Sequence, residues 1–180
     1  RRERTGGTLH PDDKKFSTDI LIPSDRCHGA ADGLKALARI RSFEGRMPVG
    51  EIAEVLGESG DFFVEERALI RAHNLKEDFP AEVLEAAQRQ AERSPLDDLT
   101  GRVDLRDDLI VTVDGEDTRD IDDAISVRKE NGKYYLGVHI ADVTHYVKWH
   151  SPIDNEAFSR GTSVYFPDRV LPMLPTALSN

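Results

Sequence analysis

Short apolar runs separated by turn residues dominate the first third of the chain. KALARI (35–40) contains helix-favouring residues, but its short length and the flanking Gly33 and Gly45 favour a strand. Three further runs predict strands, because Gly, Pro, Asp and Ser cluster between them: GGTL (6–9), DILI (19–22) and GEIAEVLG (50–57). The pattern predicts a small β-domain over residues 1–57, either an OB-type barrel or another small β-fold.

The spacing of apolar residues becomes helical over residues 58–100. A loose helical pattern covers residues 64–75, and a clearer one covers residues 79–94. In the second helix Pro80 suits the first turn, and acidic residues early with basic residues late suit the helix dipole. We interpret residues 58–100 as a helical connector.

Strand-like patterns return in the last part of the chain. DLIVTVD (108–114) predicts a buried strand that ends in an acid. AISV (124–127) and KYYLGVHIADV (133–143) predict a hairpin, because Asn131-Gly132 between them is a strong turn signal.

A short helix is predicted over residues 151–161. Ser151 is a candidate N-cap, and Pro152 suits the first helical position. Residues 162–180 are interrupted by prolines, and we expect them to be irregular. Together these elements predict an α+β chain.

Composition indicates a globular protein of a reducing compartment. Of the 180 residues, 38% are hydrophobic and 32% charged, and no apolar run approaches the roughly 20 residues that cross a bilayer. The N-terminus lacks the apolar stretch of a secretory signal, and Cys27 is the single cysteine. We therefore expect a cytoplasmic protein without a membrane contact. We also expect a monomer. The net charge of -10 argues against a polyanionic partner, yet residues 1–50 carry 10 basic against 7 acidic side chains.

Six acidic residues lie between two predicted strands, within residues 114–123. Asp114 closes one strand, and Asp120, Asp122 and Asp123 precede the next. Their carboxylates can converge, because neighbouring strands lie about 5 Å apart. Each unscreened pair at about 4 Å would then cost on the order of 4 kcal/mol. A divalent cation removes this repulsion, and carboxylate-rich sites are those that Mg²⁺ or Mn²⁺ prefers. Such sites serve phosphodiester hydrolysis; a solvated acidic loop is the alternative.

Four longer motifs occur in the second half of the chain: GEDTRDIDDAISV (115–127), GVHIADVTHYV (137–147), SRGTSVYFPDRVLPMLP (159–175) and ALSN (177–180). They resemble the catalytic RNB domain of the ribonuclease II/ribonuclease R family, with the ribonuclease R branch the closer match. Members of this family degrade RNA processively from the 3′ end with Mg²⁺ and release 5′-nucleoside monophosphates. The resemblance therefore implies a single-stranded RNA substrate and a magnesium cofactor.

The resemblance also implies a domain organisation. Residues 1–57 resemble most of the second cold-shock (OB-type) barrel that precedes the catalytic domain, and residues 101–180 resemble the N-terminal part of the RNB domain, beginning at GRVDLRD (101–107). The expected fold is α+β: a small OB-type barrel, the helical connector of residues 58–100, and the front of a mixed α/β catalytic domain. Further catalytic residues of the family lie beyond this stretch, so we expect the fragment alone to be inactive.

Functional residues of the family fall on matching positions of this chain. The four metal-site aspartates correspond to Asp114, Asp120, Asp122 and Asp123. The resemblance implies that Asp114 and Asp123 bind metal directly and that Asp120 and Asp122 are catalytic as well as metal-binding, with Asp122 the most tied to the chemical step. The tyrosine that stacks near the 3′-terminal nucleotide corresponds to Tyr165.

Other polar residues near these motifs have open roles. His139 and His145 are better explained as structural histidines than as metal ligands, and Asp142 is a candidate for orienting the backbone near the site. Arg160 and Arg169 flank Tyr165 and either contact phosphate or are surface charges. The competing function for the whole chain is a non-catalytic OB-type RNA-binding module with an acidic metal loop.

Overall fold

Two structural units divide the chain, Arg1–Leu75 and Lys76–Asn180. The computed structural model describes residues 6–43, 45–93, 99–116, 118 and 121–179. The predicted connector of residues 58–100 contributes one helix to each unit. The domain boundaries predicted at residues 57 and 100 stay a prediction.

A four-stranded sheet forms the body of the first unit, in the order β1-β2-β4-β3. Its strands are β1 (Gly7–Leu9), β2 (Ile20–Ile22), β3 (Leu34–Ser42) and β4 (Val49–Glu58). All four lie where the apolar runs predicted strands, and the ambiguous KALARI segment is part of β3. Strands β3 and β4 are antiparallel, whereas β2 runs parallel to β4. The side chains of Ile20, Ile22 and Ile52 are buried together at the centre of this sheet.

Helix α1 (Phe62–Ala72) closes the first unit. It begins two residues earlier than the periodicity predicted, because the Asp61 carboxylate accepts hydrogen bonds from the amides of Phe63 and Val64 and so caps the helix. Ile70 of this helix is fully buried. An ion pair between Lys35 and Glu65 connects the helix to β3.

A three-stranded antiparallel sheet, in the order β5-β6-β7, begins the second unit. Its strands are β5 (Ile110–Val111), β6 (Asp123–Glu130) and β7 (Lys133–Ile140). The predicted hairpin is confirmed: Asn131 and Gly132 have φ values of 50° and 76°, as the two central residues of a type I′ turn require.

The predicted buried strand over residues 108–114 was wrong in its extent and burial. Only Ile110–Val111 pairs with β6, and the side chains of Leu109 and Val113 are 84% and 89% exposed. The reason is that β5 contacts one neighbouring strand in the described part of the chain, so little apolar burial supports a longer ladder. Asp114 therefore lies three residues beyond the strand that it was expected to close.

Three helices of the second unit pack around a separate apolar cluster. They are α2 (Ala81–Ala91), α4 (Pro152–Arg160) and the short α5 (Thr176–Ser179). The cluster consists of buried residues from the first two of these helices, Val83, Ala86, Ala87 and Ile153. In α4 the side chain of Ser151 accepts a hydrogen bond from the Asp154 amide, and Pro152 is the first helical residue, as predicted.

Residues 162–179 were expected to be irregular, but they contain regular secondary structure. Strands β8 (Val164–Tyr165) and β9 (Val170–Leu171) form a small antiparallel hairpin. Its turn is closed by a hydrogen bond of 2.8 Å from the Phe166 amide to the Arg169 carbonyl oxygen. A further short helix, α3 (Val143–Tyr146), follows β7.

No helix within the described ranges combines the length and the apolar character that a membrane crossing requires.

Candidate functional site

The acidic segment connects β5 to β6 at one end of the three-stranded sheet. Asp123 is the first residue of β6, Asp122 directly precedes it, and Asp114 lies on the β5 side of the connection. The side chains of all three residues are exposed. Asp120, the fourth predicted metal ligand, lies outside the described residues.

The sheet register directs the two arms of the acidic segment towards each other. Ile110 pairs with Ser126, and Val111 pairs with Ile125. Because the two strands are antiparallel, Asp114 and Asp122 are equally distant along the chain from the Val111–Ile125 pair. The backbone therefore brings both to the same end of the sheet, although Asp114 does not lie at a strand end as predicted.

The backbone of Asp122 is fixed to the end of β7. The Ala141 amide donates a hydrogen bond of 2.8 Å to the Asp122 carbonyl oxygen. The neighbouring carboxylate, Asp142, accepts hydrogen bonds of 2.8 Å each from Nη2 of Arg102 and Oγ1 of Thr144. These bonds support the interpretation that Asp142 orients the structure behind the acidic segment.

Arg102 determines the electrostatics of this second carboxylate. The hydrogen bond from Arg102 and, to a smaller extent, that from Thr144 lower the pKa of Asp142 below its ordinary value. Nη2 of Arg102 also lies 3.0 Å from Nδ1 of His145. Since a guanidinium group only donates, Nδ1 accepts this bond. His139 instead bonds Ser126 through Nε2, at 2.9 Å. Both histidines therefore have structural partners, as predicted.

A cavity of about 940 Å³ opens beside the acidic segment. Asp122 and Asp142 line it together with Tyr165 of the β8–β9 hairpin. The fold thus brings two predicted site residues, Asp122 and Tyr165, to the wall of one cavity although they are distant in sequence. Asp114 and Asp123 are not among its lining residues. Glu116 does line it, although no role was predicted for that residue.

Tyr165 presents an exposed aromatic ring at this cavity. Its side chain is 70% exposed, although Val164 beside it is partly buried. The hairpin that carries it is closed at its base by a hydrogen bond of 2.9 Å from the Met173 amide to Oγ of Ser163. An exposed ring on a fixed hairpin can stack on a nucleic-acid base.

The donor set of the acidic segment fits a hard divalent cation. Within the described part of the chain, no side-chain hydrogen bond or ion pair engages the carboxylates of Asp114, Asp122 or Asp123. Free carboxylate oxygens are the ligands that Mg²⁺ and Mn²⁺ prefer. The described residues contain no group of three or more His, Cys, Asp or Glu side chains close enough to hold a metal ion. Asp120 lies outside these residues.

Two arginines near Tyr165 were left open between phosphate contact and surface charge. Arg169 forms a salt bridge of 3.2 Å with Glu77. Arg160 is buried, with its side chain 5% exposed, and it forms an ion pair with Glu156. Arg160 is therefore neither a surface charge nor free to contact phosphate. The sequence did contain a signal for this ion pair, because Arg160 follows Glu156 by four residues, the spacing of side-chain pairs within a helix.

Two family models match this chain. The RNB domain matches residues 102–180, and a cold-shock domain matches residues 9–80. Ribonuclease R of Thermotoga maritima is 48% identical over 98% of this chain. The chain spans about a quarter of the length of this relative, 26%.

Solved structures agree with these matches. The RNase R of Mycoplasma genitalium in complex with double-stranded RNA superposes with a TM-score of 0.70 at 26% identity, and the match covers 97% of this chain and 33% of that one. Yeast Ssd1, described as a pseudonuclease, shares the fold with a TM-score of 0.67 at 21% identity, over 98% of this chain and 24% of its own. The expected fold class, a cold-shock barrel followed by the front of an RNB domain, is thereby confirmed.

Proposed function

Because this chain belongs to the RNB family, we propose that it is part of a divalent-metal-dependent 3′→5′ exoribonuclease. In this proposal single-stranded RNA is hydrolysed processively to 5′-nucleoside monophosphates. The observation that carries the proposal is the cavity shared by Asp122 and Tyr165, a carboxylate and an exposed aromatic ring. One provides chemistry at a phosphodiester, and the other provides a surface for the adjacent base.

The carboxylates of the acidic segment have distinct roles in this proposal. Asp114 and Asp123, exposed on the two arms of the segment, hold the cation together with Asp120. When bound, Mg²⁺ or Mn²⁺ neutralises charge on the phosphodiester and on the leaving oxygen. Asp122 lines the cavity, so its carboxylate lies on the substrate side and orients the attacking water.

Tyr165 positions the RNA end in this proposal. Stacking of a base on an aromatic side chain contributes roughly 1–3 kcal/mol and tolerates any base, because every base has a flat π face. A ring held on a short hairpin therefore binds successive nucleotides as the RNA strand is shortened, which suits a processive enzyme.

The first unit supplies additional RNA binding in the proposal. It matches a cold-shock domain, and residues 1–50 contain an excess of basic over acidic side chains. Basic side chains near phosphates raise affinity without reading sequence. The Mycoplasma genitalium RNase R structure contains double-stranded RNA, and we propose RNA as the ligand of this chain as well. We further propose a monomer located in the cytoplasm.

A second function is a non-catalytic RNA-binding module with an acidic loop. The fold alone is compatible with this alternative, since the pseudonuclease Ssd1 shares it. The two functions differ in the fate of bound RNA. A binding module leaves RNA intact in the presence of Mg²⁺, whereas the exoribonuclease converts it to mononucleotides.

The test uses the protein expressed from its complete gene and single-stranded RNA with Mg²⁺. Chromatography of the products should show 5′-nucleoside monophosphates from the earliest time points, with no internal fragments. Tight binding without any mononucleotide would support the binding module. Fragments of intermediate length, released together, would indicate an endonuclease and contradict the proposal.

A further inference from the structure

Arg160, the last residue of α4, is a buried cation with an unusual number of partners. Nε donates to Oε1 of Glu156 at 3.0 Å. The other two nitrogens donate to backbone carbonyl oxygens, those of Lys76 at 3.0 Å, Asp78 at 2.6 Å and Pro172 at 3.3 Å. The guanidinium also lies over the ring of Phe79, 3.6 Å from its centroid.

The partners of Arg160 come from three separate stretches of the second unit. One is residues 76–79, which lead into α2; another is α4 itself; the third is Pro172, directly after β9. Glu156 is held from its other side by Nζ of Lys76 at 2.9 Å. A single planar group with five fixed N–H donors can bond several carbonyls at once, whereas a lysine ammonium cannot reproduce this fork.

Pro172 connects the hydrogen bonds of Arg160 to the cavity. Pro172 lines the cavity together with Tyr165. The next residue, Met173, closes the base of the β8–β9 hairpin by its hydrogen bond to Ser163. The carbonyl that Arg160 binds is therefore one residue from the bond that fixes the hairpin carrying Tyr165.

We infer that Arg160 is a positioning residue that anchors the Tyr165 hairpin to residues 76–79 and thereby sets where the RNA end is held. The claim about the RNA end rests on the proposed function. The claim that Arg160 anchors the hairpin rests on the hydrogen bonds alone. Among the described residues that line the cavity Arg160 is absent, so in this inference it acts through Tyr165.

The test of anchoring is amide hydrogen exchange in the protein expressed from its complete gene. Two conservative variants are compared, Arg160→Lys, which keeps the charge, and Phe79→Leu, which removes the stacked ring. Arg89→Lys is the matched control, since Arg89 is an exposed arginine of α2 whose ion pair with Glu85 is 3.9 Å long. We expect faster exchange at the Phe166 and Met173 amides in both variants and no change in the control. Unchanged exchange in Arg160→Lys would overturn the inference.

The test of positioning uses short RNA substrates and the same variants. Arg160→Lys should raise KM about 5- to 10-fold, because a displaced Tyr165 ring loses part of its stacking on the base. The shortest product should become longer, while kcat changes little. In a Tyr165→Ala background the same substitution should add no further change. An additive effect, or a fall in kcat alone, would overturn the positioning role. A wild-type protein that released no nucleotide would refute the proposed function instead, and amide exchange would still decide on anchoring.

Discussion

The Ala141 amide donates a hydrogen bond of 2.8 Å to the carbonyl oxygen of Asp122. The last pair of the β6–β7 ladder is Asp123 with Ile140, so this bond extends the ladder by one residue into the acidic segment. The backbone of Asp122 is therefore fixed while its carboxylate stays exposed at the cavity. A fixed backbone and a free carboxylate are what a reacting group requires, because its position is set before substrate binds.

Asp122→Asn tests the role of this carboxylate. We expect loss of RNA hydrolysis by about 10²–10⁴-fold, because the amide keeps the shape of the side chain and removes its charge and basicity. RNA affinity should stay the same or rise, since one negative charge near phosphate is removed. Hydrolysis and equilibrium binding are measured on the same single-stranded RNA.

Asp108→Asn is the matched control, since Asp108 is also exposed and precedes β5 outside the cavity. It should leave both measurements unchanged. Near-normal turnover in Asp122→Asn would remove that residue from the mechanism.

Tyr165→Ala tests the stacking surface. The variant should hold the terminal nucleotides less tightly, by roughly 1–3 kcal/mol, and stop at a longer final product. Tyr165→Phe should behave like the wild type, because the ring is retained. Tyr134→Ala, which removes a ring that is 71% exposed on the β6–β7 hairpin, serves as control. If the wild type and the three variants gave the same shortest product, Tyr165 would have a packing role instead.

Divalent cations should stabilise the second unit by binding the acidic segment. Binding to the folded state alone adds about 2.7 kcal/mol at a concentration 100 times Kd, and for a chain of this size each kcal/mol corresponds to roughly 2–4 °C in Tm. Thermal unfolding is measured with Mg²⁺, with Mn²⁺ and with chelator. Asp114→Asn together with Asp123→Asn should reduce the shift. An equal Tm with and without millimolar Mg²⁺ would mean that the carboxylates form no cation site.

The pH dependence of stability should report the Glu156–Arg160 pair. Burial raises the pKa of the Glu156 carboxyl, but hydrogen bonds from Lys76 and Arg160 outweigh burial, so the pKa lies below its ordinary value of 4.5. Since the folded state favours the ionised form, the contribution of this group is fully present above pH 4.5 and is lost as the pH falls through the lower, folded-state pKa.

Glu156→Gln separates this contribution from that of other carboxyls. The variant should unfold at lower denaturant concentration than the wild type near neutral pH, and the difference should shrink as the solution is acidified below pH 4.5. Urea unfolding at a series of pH values measures this. A difference that stays constant across the series would show that ionisation of Glu156 contributes nothing.

Local patterns in the sequence were sufficient for most of the elements. The β6–β7 hairpin followed from Asn131-Gly132, and α4 followed from Ser151 and Pro152, because each of these signals acts within a few residues. The short β8–β9 hairpin was missed because its strands are only two residues long and prolines surround them.

The environment of Arg160 could not be predicted in the same way. Its carbonyl partners include Lys76, which is 84 residues earlier in the chain. Contacts at such distances depend on how whole elements pack, and a single sequence carries no signal of them. Asp122 and Tyr165 were predicted from motifs that resemble a known family, but their position at one cavity required the structure.

The most direct test of the account follows a label from each end of the RNA. Single-stranded RNA tagged at its 3′ or its 5′ end is given to the protein expressed from its complete gene, with Mg²⁺ or with chelator. The 3′ label should appear at once as a mononucleotide, whereas the 5′-labelled strand should shorten stepwise, and chelator or Asp122→Asn should stop both. Early release of the 5′ label, or equal cleavage in chelator, would contradict a cation-dependent site that degrades RNA from its 3′ end.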